Sequence, residues 1–352
     1  AGGPPDAAWR IVLAQLDSHI GLLLKARKDL AGALAADRSA EALLTAASAK
    51  GDASLDDSLA GAKEAIALVL FAQGDAAGAT AARTEAIPLR KAVAARAPSD
   101  PNLRALAADE LGACIAKAAA GGSVCRDAVS DSRLAAAHAP DDANAQFALH
   151  VCLNALGAAE AQAGDSAGAE ATLRESLALA TAWAATAPSD TRWRFGVAIA
   201  AERLGVSQFA AKAYDDALAS FVVARDAAAA LVGVDKTNSA WAASLARVVG
   251  EIGLVANTEL LAKNYAGALV ALDKATPVAP DQNWLDLIRA ACLMFQGRPD
   301  EARALYLKHR GETTYGGKSW EQATTEGFAL LRANGQTNPL MDQIQALFAA
   351  PK

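Results

Sequence analysis

A short turn set between small residues recurs along this chain, and its clearest copy is LGAAEAQAGDSAGAEATLRESLALATAWAATAP, residues 156–188. It reads as two helices meeting at Gly164-Asp165. Glycine takes the left-handed conformation that closes a helix, and the Asp165 carboxylate caps the free amides of the next first turn. In the second helix Ala169, Leu173, Leu177 and Ala180 fall at the three-to-four spacing of one buried stripe. Pro188 stops it, since proline has no amide to donate. Gly157 on the first helix and Ala169 on the second are small enough for the two backbones to approach closely. A single hairpin cannot bury its second face, so copies must stack.

The copies are present. A small residue early in each second helix stands at Ala33, Ala79, Ala128, Ala169, Ala217, Ala268 and Ala302, in contexts such as GDAAGA, GDSAGA and NYAGA. The matching site on each first helix holds Gly21, Ala67, Gly112, Gly157, Gly205, Ala256 or Ala290. Ala40, Ala86, Ala135, Ala224 and Ala275 follow the first set by seven, and Phe221 and Tyr306 supply large residues between. This pattern, over roughly residues 7–310, resembles the tetratricopeptide repeat family. The resemblance implies an all-α, right-handed superhelical solenoid of about seven helical hairpins, with residues 311–352 as a C-terminal capping helix pair. It also implies a concave groove, lined by the first helix of each unit, that holds an extended or helical peptide.

The spacing departs from that family. Successive small-residue markers lie 46, 49, 41, 48, 51 and 34 residues apart, against about 34 for a standard unit. The excess goes into longer helices and a recurring joint, seen as APSD at Ala97 and Ala187, APDD at Ala139 and APDQ at Ala279. An aromatic follows several joints, at Trp9, Trp193, Trp241 and Trp284. The joint reads as a helix stop at proline and an aspartate cap, with the tryptophan packing on the neighbouring unit. Pro88 falls inside a second helix, where a kink is expected. After GETTYGG at Gly311, Trp320 to Ala333 and Pro339 to Ala349 read as closing helices, and residues 1–6 as a disordered lead.

At 53% hydrophobic but 5% aromatic, the chain is rich in alanine and suited to close helix packing. Its net charge of −6 is dispersed and no Lys/Arg cluster stands out, which disfavours nucleic acid. No apolar run reaches membrane-spanning length, so no membrane insertion is expected. Of the four cysteines, Cys114 and Cys125 flank one turn. We read them as two separate buried thiols suited to a tight helix contact; a disulfide would imply an oxidising compartment. The compartment is left open, with the cytoplasm slightly favoured over an extracytoplasmic location. His150 and Cys152 diverge by about half a turn on a helix and lack further ligands, so no metal is expected. No nucleophile motif, P-loop or dinucleotide fingerprint is present, so neither catalysis nor a cofactor is expected.

The groove-facing candidates, placed by their spacing from the small-residue marker, are Glu64, Phe71, Asp109, Lys117, Asn154, Gln162, Glu202, Phe209 and Asn257. Asn154 and Asn257 suit a peptide backbone, and Phe71 and Phe209 an apolar anchor. Glu64, Asp109 and Glu202 on the same surface disfavour a clamp for a terminal carboxylate and favour a neutral or basic partner. The expected function is a non-enzymatic scaffold binding a protein or peptide segment. The alternative is the sensor or substrate-recruiting part of a larger signalling or defence enzyme, such as a protease.

Overall fold

The structure is a computed structural model that describes residues 7–48, 55–116, 122–279 and 281–350. The expected lead at 1–6, most of the joint at 50–55, the turn residue Gly121 and the groove candidate Lys117 lie outside the described residues. Sixteen α-helices occupy the described residues, with one isolated antiparallel bridge, Thr313 to Ser319. The chain divides into two compact units, Ala1–Trp183 and Ala184–Lys352.

Unit 1 holds α1 (Ala7–Ala26), α2 (Leu30–Ser48), α3 (Asp56–Ala72), α4 (Ala76–Arg96), α5 (Asp100–Ala116), α6 (Gly122–His138), α7 (Ala143–Gln162) and most of α8 (Ser166–Thr186). Consecutive helices pair as hairpins, and α3 packs on α2, α5 on α4 and α7 on α6. Unit 2 holds α9 (Thr191–Ala210), α10 (Tyr214–Val234), α11 (Ser239–Leu261), α12 (Tyr265–Ala275), α13 (Trp284–Phe295), α14 (Pro299–Lys308), α15 (Trp320–Ala333) and α16 (Pro339–Ala349). There α11 packs on α10 and α13 on α12, and the closing helix α16 packs on α14 and α15. Within each unit the helices are arranged as tetratricopeptide-like hairpins.

The small residues sit where the hairpin argument needs them. Ala33, Ala79, Ala128, Ala169, Ala217, Ala268 and Ala302 are all buried. The glycines of the first helices face a different residue from the one expected. A Cβ on Gly157 would come within 2.6 Å of Leu173, and one on Gly205 within 2.6 Å of Phe221. The close approach therefore lies one helical turn beyond Ala169 and Ala217, where a large side chain of the second helix lies over the missing Cβ.

Four turns share one local design. Gly74 and Gly164 take φ of 85° and 82°, and Lys28 and Lys263 occupy the same left-handed position at 63° and 67°. The next residue caps the following helix. Asp29, Asp75, Asp165 and Asn264 accept from the amides of Gly32, Gly78, Gly168 and Gly267 at 2.9, 2.8, 2.9 and 3.1 Å. Glycine at the donor position leaves room for the capping side chain, which a Cβ would meet at 2.3–2.6 Å.

Some expectations differ. Cys114 and Cys125 form a disulfide, with Cα atoms 4.9 Å apart, rather than two separate thiols. Their Cα approach joins α5 to α6, and sequence spacing alone could not reveal it. Cys152 and Cys292 are buried free thiols, and burial pushes them up to about 11 and about 12. Helices α10 and α11 do reach the length and mean hydropathy of a membrane span; alanine and valine raise the hydropathy of helices that pack between neighbours in unit 2. Trp193 is fully buried and Trp284 covers Gly253 of the preceding hairpin, as the joint predicts, but Trp9 is 63% exposed. Pro88 lies inside helix α4, where the sequence put it.

Candidate functional site: an apolar hollow in unit 2

Three first helices, α11, α13 and α15, surround a hollow of about 700 Å³ in unit 2. Its depth follows from helix length and small residues. Helix α13 has 12 residues against 23 in α11, so it forms a short floor, with Leu287, Ile288 and Ala291 turned to the space. Gly250 of α11 and Gly327 of α15 line the walls, and a Cβ on either would meet nothing within 4 Å. Below lies Tyr306 of α14, fully buried and edge-on to Phe328 at 5.2 Å. Leu254 and Leu330 edge the hollow at 45% and 51% exposure.

The loop between α14 and α15 forms the rim. The His309 ring nitrogens lie 2.9 Å from Asp286 Oδ2 and 2.7 Å from Glu312 Oε2. Burial raises the Asp286 carboxyl, but His309 and Lys308 beside it outweigh that and hold it below the usual carboxylate value. Asn283 Nδ2 donates to Glu312 Oε2 and to the Thr313 carbonyl, both at 3.1 Å. Trp320 Nε1 donates to the Tyr306 carbonyl at 2.6 Å. On this base, Tyr315 stands 81% exposed before Gly316 and Gly317, both at positive φ. Lys318 Nζ pairs with Glu326 Oε2 at 2.5 Å across the rim. Thr314 Oγ1 is buried without a hydrogen-bond partner. The surface is thus apolar within and sparsely polar at its edge, as small-molecule and side-chain pockets commonly are.

Of the nine residues predicted from spacing, Asn257 lies in this hollow. Phe209 is half-buried against Tyr214, with ring centroids 5.3 Å apart. Phe71 and Gln162 are exposed on unit 1. Asn154 is buried between α7 and α8, donating to Ser176 Oγ at 2.8 Å and to the His150 carbonyl at 3.1 Å. The three carboxylates expected to favour a basic ligand are engaged internally. Glu202 is buried and takes a bidentate pair from Arg247. Glu64 lies 3.7 Å from Arg90 Nη2, and Asp109, 1% exposed, 3.5 Å from Arg90 Nε. The expectation of a basic partner loses its physical support, because Arg90 and Arg247 on other helices supply the counter-charges. Spacing within one helix cannot show this.

The desolvation of Asp109 is incompletely compensated. Neither of its carboxylate oxygens receives a hydrogen bond. Burial and the nearby Glu64 push it up to about 7 against the pull of Arg90. Burial likewise pushes its neighbour Glu110 up to about 7, despite Lys91 Nζ at 3.0 Å. Among the described residues no group of three or more metal-ligating side chains gathers. Sequence reasoning missed Leu254, Leu330 and Tyr315. The available signals were Gly250 and Gly327, glycines in helices where no neighbour crowds them.

No protein-family profile matches the chain, and no curated protein matches it. Among solved structures it is similar to RapI in its apo form, with 9% identity over 97% of this chain and 96% of that one, at a TM-score of 0.45. It is similar to a tetratricopeptide repeat protein from Parabacteroides merdae, with 14% identity over 96% and 99% and a TM-score of 0.37. A third is TTC0263, a thermophilic tetratricopeptide protein of Thermus thermophilus, with 18% identity over 67% and 98% and a TM-score of 0.32. Likenesses at this level assign no residue and no ligand; the helical-hairpin fold stands on the geometry above.

Proposed function

We propose that the chain is a non-enzymatic interaction scaffold and that the unit-2 hollow takes apolar side chains from a protein or peptide segment. The observation that carries this reading is the hollow itself: about 700 Å³, walled by α11, α13 and α15 and edged by exposed Leu254 and Leu330. Helix-in-groove recognition uses such apolar grooves, with anchors spaced along one face of the ligand. On this reading Tyr315 at the tip of the rim loop closes over a bound segment, and Asn257 pairs with its backbone. The polar part of the contact is small, so the partner surface is apolar rather than charged.

Peptide display against the intact chain tests this. Selected peptides should carry leucine, phenylalanine or tryptophan anchors. Their binding should fall at least tenfold in Leu254→Arg and in Gly250→Trp, which fills the hollow without meeting a neighbouring side chain at its Cβ. Peptides that bind both variants as well as the parent chain would place recognition elsewhere.

A further inference from the structure

We propose that His309 is a protonation-operated latch on the rim loop and so regulates closure of the unit-2 hollow; this rests on the reading of that hollow as the binding site. His309 is buried just past the end of α14, and both its ring nitrogens meet a carboxylate. Nε2 lies 2.9 Å from Asp286 Oδ2 on α13, and Nδ1 lies 2.7 Å from Glu312 Oε2 in the loop. An ionised carboxylate only accepts, and a neutral imidazole has one donor and one acceptor nitrogen. Both contacts are therefore hydrogen bonds only while the ring carries its second proton. A neutral ring turns a nitrogen lone pair onto one of the two carboxylates.

Around the ring, Asp286 faces it from α13 and Glu312 from the loop, while Lys308 of α14 pairs with Asp286 Oδ2 at 3.0 Å. From α15 come the Trp320 ring, with centroids 4.7 Å apart, and Glu321, which accepts from the Gly311 amide at 2.8 Å. Arg310 donates to the Ala350 carbonyl. Both partner carboxyls are held below the usual carboxylate value: Asp286, despite its burial, by His309 and Lys308, and Glu312 by Asn283 and His309. They stay ionised across the pH range in which histidine changes charge. Loss of the proton must break one contact, and the loop side yields. The Asp286 side chain is 17% exposed and stays tied to Lys308, whereas that of Glu312 is 51% exposed and open to hydration. Asn283 Nδ2, shared between Glu312 and the Thr313 carbonyl, then keeps Thr313 alone. Gly311, Gly316 and Gly317, all at positive φ, give the loop a permissive backbone. The released segment carries Thr314, Tyr315, Gly316 and Lys318, which line the hollow. Mild acid thus fastens the rim, and mild alkali frees it.

Amide exchange on the intact, ligand-free chain tests the latch. Corrected for intrinsic rates and read against α10, protection at residues 311–319 should fall at least tenfold from about pH 5.5 to about pH 8. Asp109 and Glu110 also titrate near neutral pH, but they lie on α5 in unit 1 and are read there. His309→Gln, with one donor nitrogen and one acceptor oxygen, should show the released level at both pH values. Glu312→Gln should show the latched level at both, because its amide accepts from a protonated ring and donates to a neutral one. N-phenyl-1-naphthylamine, an uncharged apolar dye, reads the hollow. It should leave the parent chain at least fivefold faster at about pH 8 than at about pH 5.5, and leave Glu312→Gln at one rate. Equal protection at both pH values in the parent chain overturns the proposal, as does a Glu312→Gln chain that keeps the parent's pH dependence. A pH-dependent loop with a pH-independent dye off-rate overturns the regulation of the hollow. A dye held equally well by Gly250→Trp places the failure in the hollow as a binding site, while the exchange data still decide the latch.

Discussion

Replacing Asp109 with asparagine should stabilise the chain at neutral pH and leave it unchanged in acid. Asp109 is 1% exposed on α5, and its two carboxylate oxygens receive no hydrogen bond. Arg90 Nε lies 3.5 Å away, and the other two nitrogens of the same guanidinium pair with Asp57 and Glu64. Burial, reinforced by Glu64, lifts the carboxyl from 3.8 to about 7. The folded state therefore holds a proton that the unfolded chain has already released. Stability from this group is intact below about pH 4 and declines as pH rises toward about 7, because the unfolded state binds fewer protons across that window. Three units at 1.36 kcal/mol each set a ceiling of about 4 kcal/mol. Relaxation and water entry around Arg90 reduce this to about 2 kcal/mol. Asparagine keeps the shape and removes the charge, while Arg90 retains its other two acids. Urea midpoints followed by helical circular dichroism from pH 4 to pH 8 read the difference. The variant should match the parent chain at pH 4, exceed it by about 2 kcal/mol at pH 8, and show a shallower decline between. Glu110, also raised to about 7, keeps part of the slope in both proteins. A variant destabilised equally at both ends would show that Asp109 is ionised in the folded state and that its pairing with Arg90 is net favourable.

Two further perturbations test the packing. Gly157→Ala and Gly205→Ala would set a Cβ 2.6 Å from Leu173 and Phe221, so each should cost about 1–3 kcal/mol through overpacking. Gly61→Ala and Gly250→Ala meet nothing within 4 Å and should each gain about 0.5–1 kcal/mol from helix propensity alone; thermal melts of the four variants would refute the contact assignment if the two pairs behaved alike. The Cys114–Cys125 disulfide closes a loop with a sequence separation of 11, so Cys114→Ala/Cys125→Ala should lose about 2–3 kcal/mol by chain entropy. Reductant should lower the urea midpoint of the parent chain and leave that of the double variant unmoved.

The hairpins were legible because their cause is local. A left-handed residue, a capping Asp or Asn and a glycine three residues on specify four of the turns within six residues, and a small residue such as Ala169 marks the packed face one turn later. The closing helices Trp320–Ala333 and Pro339–Ala349 follow from the same logic, with Ser319 and Asn338 as their caps. The contact partner of each glycine was less legible, because helix periodicity gives the face but not which turn lies opposite. Least legible was the binding surface. Glu202 reads as a free acid until Arg247, 45 residues away, is seen to take both its oxygens. Asn154 reads as a peptide ligand until Ser176 is found within 2.8 Å. The hollow itself exists because α13 is short and because Gly250 and Gly327 leave their walls bare. In a helical-repeat chain, therefore, a polar residue on a first helix is weak evidence for a ligand contact, since the next hairpin can engage it. A glycine on that face is stronger evidence once its neighbours are known, because what it contributes is space.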